Sequence, residues 1–170
     1  MMKVASSASR PASKVRHRGF TIIELMITMV IAAILLAVAL PAFQSAMRKS
    51  RRTEAFNALT SIQQAQERHR STNAAYTTLI TEAVTATPPG LAQPATRTST
   101  GYYDLSISLV GTGNTTYTAT ASAVTGTSQA SDGDCATLVV RVDGGNIQYG
   151  SGSSITWGGS NTDPNRCWAR

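Results

Sequence analysis

The chain has 170 residues, of which 42% are hydrophobic, and a formal net charge of +6. Five of its 15 basic residues and none of its 9 acidic ones lie in the first 19 positions, so the remainder carries 10 basic against 9 acidic residues. A chain of this size has room for one modest core, and its nearly neutral remainder argues against a general affinity for polyanions.

The N-terminal segment combines a basic leader with an apolar run. Residues 1–19 are rich in Ser, Ala and Arg without periodicity, which is typical of a processed leader. In the following stretch, residues 20–47, Glu24 is the only charged residue. A helix from Leu25 to Met47 would be roughly 34 Å long, enough to cross the ~30 Å of bilayer hydrocarbon. A carboxylate at membrane depth costs about 2.5–3.5 kcal/mol, so Glu24 needs a partner.

The stretch Arg18-Gly19-Phe20-Thr21-Ile22-Ile23-Glu24-Leu25 resembles the beginning of type IV pilins and pseudopilins. Their precursors carry a basic leader that ends in Gly, followed by Phe-Thr-x-x-Glu-Leu. The resemblance implies that a prepilin peptidase cuts between Gly19 and Phe20 and then N-methylates Phe20. It also implies that Glu24 meets the amine of Phe20 on a neighbouring subunit and sets the register of assembly. Pro41, which removes a backbone hydrogen bond, predicts a helix break at an offset where pilins commonly carry proline.

Four cations follow the apolar run directly, at Arg48, Lys49, Arg51 and Arg52. We interpret them as a topology and headgroup signal, or as contacts to acidic residues of neighbouring subunits. Five basic residues before the span against four after it favour a cytoplasmic N-terminus and an exported C-terminal domain. A helical pattern resumes at Thr53, a predicted cap, and Ala55, Leu59 and Ile62 recur at helical spacing, so we expect an amphipathic half-helix over residues 48–72.

The C-terminal part predicts a small sheet. Residues 73–101, with Pro88, Pro89, Gly90 and Pro94, form a predicted helix-to-sheet loop, either functional or flexible. Within residues 102–170, alternating polarity and turn residues predict four strands, around 102–109, 115–124, 135–142 and 147–149. The expected fold class is α+β, a long N-terminal helix packed on an antiparallel meander, as in type IV pilins.

The two cysteines, Cys135 and Cys167, both fall in the predicted exported part, where an oxidising compartment favours a disulfide. Metal binding is the competing interpretation, but two cysteines without a nearby His make a poor zinc site. Pairing also matches the disulfide-bounded C-terminal region of type IV pilins. The ending Asn165-Arg166-Cys167-Trp168 is similar to that of minor pilins of the PilE type.

Neither a nucleophile motif nor a phosphate loop nor metal-ligand spacing is found in the sequence, so we expect no enzyme activity, cofactor or metal. His69 is expected to be solvated on the helix surface. Asp132-Gly133-Asp134 favours a turn over a calcium site, because a full set of ligands is missing. Arg166, Trp168 and Arg170 interleave cations with an aromatic ring and are candidate DNA contacts, as in pilins of competence systems.

The resemblance implies a structural subunit, a minor pilin, held in the bacterial inner membrane and then assembled into an extracellular or periplasmic filament. Its implied partners are other pilin subunits, the prepilin peptidase and methyltransferase, the inner-membrane assembly machinery, and membrane lipid before assembly. A pseudopilin of type II secretion and a DNA-binding competence pilin are the related alternatives. A secreted binding protein, with a conventional signal peptide cleaved after Ala37-Val38-Ala39, is the alternative from another class, and Glu24 counts against it.

Overall fold

A computed structural model describes residues 19–157, 162–164 and 166–168. The predicted leader therefore lies outside the described residues except for Gly19, and Arg170 lies outside them too. The chain divides into two compact units, Met1–Pro41 and Ala42–Arg170. The main elements are α1 (Ile22–Thr72), β1 (Tyr103–Val110), β2 (Thr116–Ala123), β3 (Thr137–Asp143) and β4 (Asn146–Ser151).

The long helix α1 begins next to the predicted cleavage position and ends where the sequence predicts. Its large apolar side chains before residue 48 are exposed, from 39% at Met47 to 83% at Ile22. By length and composition it is able to cross a membrane. Helical structure continues through Pro41, so the predicted break is absent from the secondary structure, since one missing N–H removes only one bond of the ladder. Thr53 is likewise interior to the helix and caps nothing.

The four strands form one antiparallel sheet in the order β1-β2-β3-β4, which confirms the predicted meander. Leu105 of β1 lies opposite Ala121 of β2, which in turn lies opposite Leu138 of β3. The register therefore brings the apolar positions of each strand onto one face. Gly144 and Gly145, both with positive φ, make the tight turn between β3 and β4 that their sequence predicts.

The core of the C-terminal unit joins one stripe of α1 to the inner face of the sheet. The helix contributes Ala55, Leu59, Ile62 and Ala65, which are 0–3% exposed and recur at spacings of three and four. They belong to one cluster with buried residues of the sheet, of the connecting loop and of the disulfide: Tyr76, Ile80, Leu91, Tyr103, Leu105, Tyr117, Ala119, Ala121, Cys135, Leu138, Val140, Val142 and Cys167.

The connection over residues 73–101 is folded onto the helix rather than loosely draped. Gln66, fully buried on α1, donates to the carbonyl oxygen of Thr77 at 2.6 Å and accepts from the N–H of Thr77 at 3.2 Å. Further along, the N–H of Leu91 donates to the carbonyl of Leu79, which closes the loop on itself. A buried amide that satisfies a backbone N–H and C=O together pins the start of the loop.

The tail is tied to the sheet by a disulfide between Cys135 and Cys167, whose Cα atoms are 5.3 Å apart. One carboxylate organises the turn beside it. Asp163 accepts hydrogen bonds from the Ser151 hydroxyl and from the backbone N–H groups of Cys167 and Trp168. The tail is thus held covalently and by three hydrogen bonds to one acid.

We expect the double variant Cys135→Ser, Cys167→Ser to lower the free energy of unfolding by about 3–4 kcal/mol, the chain-entropy value for the loop that the bond closes. The two positions are 32 residues apart. Denaturant unfolding of the full chain in neutral detergent, followed by tryptophan emission, measures the loss. Wild-type protein treated with reductant should show the same decrease, and equal stability of oxidised and reduced protein would contradict the expectation.

Candidate functional site

The segment that carries the processing motif is exposed and lies just outside the helix. Gly19, Phe20 and Thr21 are not helical, and Phe20 is 83% exposed. The Thr21 hydroxyl accepts a hydrogen bond from the backbone N–H of Glu24 at 3.3 Å, and the Thr21 carbonyl accepts from the N–H of Leu25. Thr21 is therefore the N-cap of α1.

Glu24 has a local role in addition to the one that the sequence suggests. Thr21-x-x-Glu24 has the pattern of a capping box, in which an acid in the first turn favours the positive end of the helix dipole. Its carboxylate nevertheless makes no ion pair or side-chain hydrogen bond within residues 19–157, 162–164 and 166–168. The charge thus remains available to a second molecule.

Sequence reasoning missed the capping function of Thr21. The signal was present, because a Thr followed three residues later by Glu just before an apolar run marks a helix start. The cap thus separates a short non-helical segment, Gly19–Thr21, from the helix that begins at Ile22.

One acid pairs with the basic turn of α1, the name we give to residues 48–52. Asp132, whose side chain is 7% exposed, accepts two hydrogen bonds from Arg52, at 2.6 and 2.7 Å. Gln129 donates to the same carboxylate at 2.8 Å, and Arg48 lies 3.8 Å from it. The hydrogen bond to Asp132 raises the pKa of Arg52 above its ordinary value.

Asp132 is therefore paired with a guanidinium, and both of its oxygens accept hydrogen bonds. Beneath the pair, the amide of Gln129 also donates to the hydroxyl of Tyr103 at 2.7 Å. Burial raises the pKa of Tyr103 to about 12, so its hydroxyl stays neutral at physiological pH.

The rest of the basic turn points in other directions. The guanidinium of Arg51 lies 3.7 Å from the centre of the Tyr102 ring and donates to the Ser128 hydroxyl. Lys49 is exposed and makes no ion pair among the described residues. The sequence shows where these cations lie in the chain, but not that Arg52, Arg51 and Lys49 have an acid, an aromatic ring and solvent, respectively, beside them.

The C-terminal turn presents Arg166 to solvent. This residue is exposed and adopts φ +50°, while its N–H donates to the carbonyl of Asp163 at 3.1 Å. The disulfide to Cys135 through Cys167 holds the turn from the following position. The guanidinium therefore sits on a fixed base, and it has no ion pair among the described residues.

Trp168 has a structural role instead of the predicted stacking on a base. Its indole stacks on Phe56 with ring centres 4.8 Å apart, and Tyr149 packs against it at the same distance. Its Nε1–H donates to the carbonyl of Gly150 at 2.7 Å. An indole that packs against two rings and donates a hydrogen bond is not free to stack on a base, so we do not propose Trp168 as a DNA contact.

His69 also differs from expectation. Both of its ring nitrogens are shielded from solvent, and neither has a hydrogen-bond partner among the described residues. The ring contributes to the wall of a cavity between the end of α1 and the connecting loop, together with Asn73 and Leu91. Helical spacing placed it on a polar face, but the folded-back loop covers that face.

We expect Asp132→Asn to lower the free energy of unfolding by about 1.5–3 kcal/mol, the range for a hydrogen bond to a charged group, because Arg52 would lose its counter-charge. Asp104→Asn is the matched control. Its pair with Arg97 is about half exposed on both sides, so little change is expected. Denaturant unfolding of both variants measures the difference, and equal losses would contradict the role given to burial.

Comparison with known proteins agrees with this geometry. The family described as "Type IV minor pilin ComP, DNA uptake sequence receptor" matches residues 41–139, more than half of the chain. The "Prokaryotic N-terminal methylation motif" matches residues 14–40. "Fimbrial protein EcpC" of Eikenella corrodens is 54% identical over 41 residues, 24% of this chain and 27% of that protein.

The chain thus matches about a quarter of the length of this curated relative. The methylation motif and the family match meet at residues 40 and 41, so the two together cover the capped apolar helix, the amphipathic half-helix, β1, β2 and the start of β3. A pilin architecture, a methylation motif and a family match over most of the folded domain agree with one another. The chain belongs to the ComP family of type IV minor pilins.

Proposed function

We propose that this minor pilin is cut between Gly19 and Phe20, methylated at Phe20, and assembled through α1. The observation that carries this is the carboxylate of Glu24, which has no partner among the described residues and lies in the apolar, exposed first part of α1. In a filament, the amine of Phe20 on a neighbouring subunit would neutralise it. The pairing offsets the cost of removing both charges from water. It would also fix the axial position of one subunit against the next, because any other offset leaves both charges unpaired.

Apolar burial would stabilise the assembled bundle against exposure to water, whereas the transfer from lipid to the bundle gains little from it, because lipid tails are as apolar as these side chains. Side chains of the helix such as Ile23, Leu25, Ile31 and Leu35 are each more than half exposed in the subunit. Burying one such side chain fully is worth about 1.5–3 kcal/mol relative to water. Before assembly the bilayer covers the same surface, so the mature subunit exchanges lipid for neighbouring helices.

The processing step has a direct test, the intact mass of the mature protein. We expect an N-terminus at methylated Phe20. A protein that begins at Leu40 would instead show that the segment ending in Ala39 acts as a conventional signal peptide. The match of residues 14–40 to the methylation motif supports the first outcome.

For assembly, we expect Glu24→Gln to be processed normally but to enter filaments several-fold less than wild type. Glutamine preserves the capping-box pattern at the third position of the helix, so the substitution removes the charge and spares the cap. Immunoblots of sheared filaments against whole cells give the incorporated fraction, with Glu82→Gln, an exposed acid far along the chain, as the control.

Thr21→Ala separates the two roles of this turn. It removes the cap hydrogen bond and leaves the charge of Glu24 in place. If Thr21→Ala reduced incorporation and Glu24→Gln did not, helix capping rather than charge pairing would explain the motif.

A second function, DNA binding by the exported domain, is favoured by the family match, since the matching family is described as a DNA uptake sequence receptor. Arg166 is the described residue best suited to a phosphate contact, because it is exposed, unpaired among the described residues and held on a disulfide-anchored turn. A cation displayed on a rigid turn loses little conformational entropy when it binds.

The acids of the domain have different partners. Asp132 is paired with Arg52, and Asp143 with Arg141. Asp163, the nearest acid in sequence to Arg166, accepts hydrogen bonds from the Ser151 hydroxyl and from two backbone N–H groups. The carboxylate of Asp163 keeps its charge because these donors are neutral, so the proposal rests on the exposure of Arg166 and on its fixed position.

We expect Arg166→Ala to weaken binding of the full chain to duplex DNA and to reduce the slope of log K against log salt by about 0.9, the value for one lost phosphate contact. Fluorescence anisotropy at several salt concentrations gives both quantities. Adding Arg170→Ala tests the other predicted cation, and Arg97→Ala, in a surface ion pair, is the control. Unchanged affinity and slope would remove the C-terminal turn from the proposal.

A further inference from the structure

An open groove of about 350 Å³ lies where the basic turn of α1 meets the polar loop, residues 124–136, which connects β2 to β3. It belongs wholly to the Ala42–Arg170 unit. The helix lines one side and two serines of the loop line the other: Phe43, Gln44, Met47, Arg48, Arg51, Ser128 and Ser131. Neither the processing motif nor the C-terminal turn contributes to it.

The groove is apolar at one end and cationic at the other. Phe43 is 64% exposed and Met47 is 39% exposed, and both precede the cations in the helix. Arg48 directly follows Met47, Arg51 lies one turn beyond Met47, and Ser128 and Ser131 line the other side. Guanidinium and hydroxyl donors together suit a phosphate, and an adjoining apolar wall suits hydrocarbon.

The charge balance of this turn favours an anion. Four cations lie within residues 48–52, and Asp132 is the acid that the structure pairs with them, through Arg52 and more distantly Arg48. Arg51 is engaged by neutral groups, the Tyr102 ring and the Ser128 hydroxyl, so its charge is not cancelled. Lys49 is exposed beside it. The site therefore retains a positive excess.

The position in the chain identifies the source of the anion. Phe43 and Met47 lie at the end of the apolar run that is long enough to cross a bilayer, and Arg48 follows it directly. Residues just beyond such a run lie at the level of the lipid headgroups. There an apolar wall followed by cations matches acyl chain followed by phosphate, whereas free phosphate or DNA would leave Phe43 and Met47 without a partner.

We propose that this groove binds the headgroup of an anionic phospholipid, with the phosphate between Arg48 and Arg51 and the acyl chain along Phe43 and Met47. The lipid holds the subunit at a defined depth before assembly. It must dissociate when the subunit leaves the bilayer, so its affinity contributes to the barrier to extraction. This inference does not depend on the pairing of Glu24 or on DNA binding.

The test uses the full chain in neutral detergent, with native mass spectrometry to count bound phosphatidylglycerol and phosphatidylcholine offered at equal concentration. We expect phosphatidylglycerol to be retained preferentially. The double variant Arg48→Gln, Arg51→Gln should lose about fivefold in phosphatidylglycerol retention for each arginine removed. Arg68→Gln, an exposed cation of the same helix that does not line the groove, should retain wild-type binding.

A second variant keeps the test informative if loss of Arg51 disturbs the fold. Ser131 is exposed, so Ser131→Glu adds a negative charge to the groove without removing an internal contact, and it should also reduce retention. Equal retention of the two lipids, or an equal loss in Arg68→Gln, would overturn the proposal.

Two competition arms distinguish the source of the phosphate. Glycerol phosphate carries the headgroup chemistry without hydrocarbon, so displacement of the lipid at equal concentration would reduce the groove to a simple phosphate site and overturn the proposal. Displacement by a short DNA duplex, lost in the Arg48, Arg51 double variant, would assign the groove to DNA instead. Failure of both competitors to displace phosphatidylglycerol supports the lipid assignment.

Discussion

The physical constraint behind this protein is the apolar surface of α1 that the subunit leaves uncovered. Up to Met47 the large apolar side chains of the helix are exposed, whereas from Ala55 onward one stripe is buried by the domain. A helix that is apolar all round is stable in a bilayer or in a bundle of similar helices, and not in water. Membrane insertion and filament assembly are therefore two ways of covering one surface, and Glu24 adds the only charge to it.

A second organising feature is the single acid Asp132. It fixes Arg52, reaches toward Arg48 and, through Gln129, connects to the buried hydroxyl of Tyr103. Four groups from the helix, the sheet and the polar loop thereby share one partly buried network, in which loss of any member would leave charges or donors unsatisfied. The network locks the polar loop against the basic turn and so creates the groove that we assign to lipid.

The arginines of the domain differ in use more than in chemistry. Arg52 and Arg97 are satisfied by carboxylates, and Arg51 by a ring and a hydroxyl. Arg166 is exposed and has no ion pair among the described residues, on a turn that the disulfide holds in place. This division explains how a nearly neutral chain is able to carry the two cationic features for which we propose lipid and DNA binding, neither of which the net charge reveals.

The sequence by itself determined the features that local pattern encodes. A helix of period 3.6, strands of period 2 and the Gly-Phe-Thr-x-x-Glu motif each lie within a short window, and the α+β meander followed from them. Only two cysteines are present, so one intramolecular pairing was available, and it is the one observed. The cap at Thr21 was equally local and was readable in the same way.

Contacts between distant positions were decided only by the tertiary structure. Arg52 and Asp132 are 80 residues apart, and Gln66 reaches Thr77 because the loop folds back on α1. Trp168, predicted from the sequence to stack on a base, packs on Phe56, which lies far from it in the sequence, within α1. The type of a side chain defines what it is able to bind. Which partner it contacts depends on the packing of the whole chain, and a short stretch of sequence does not contain that information.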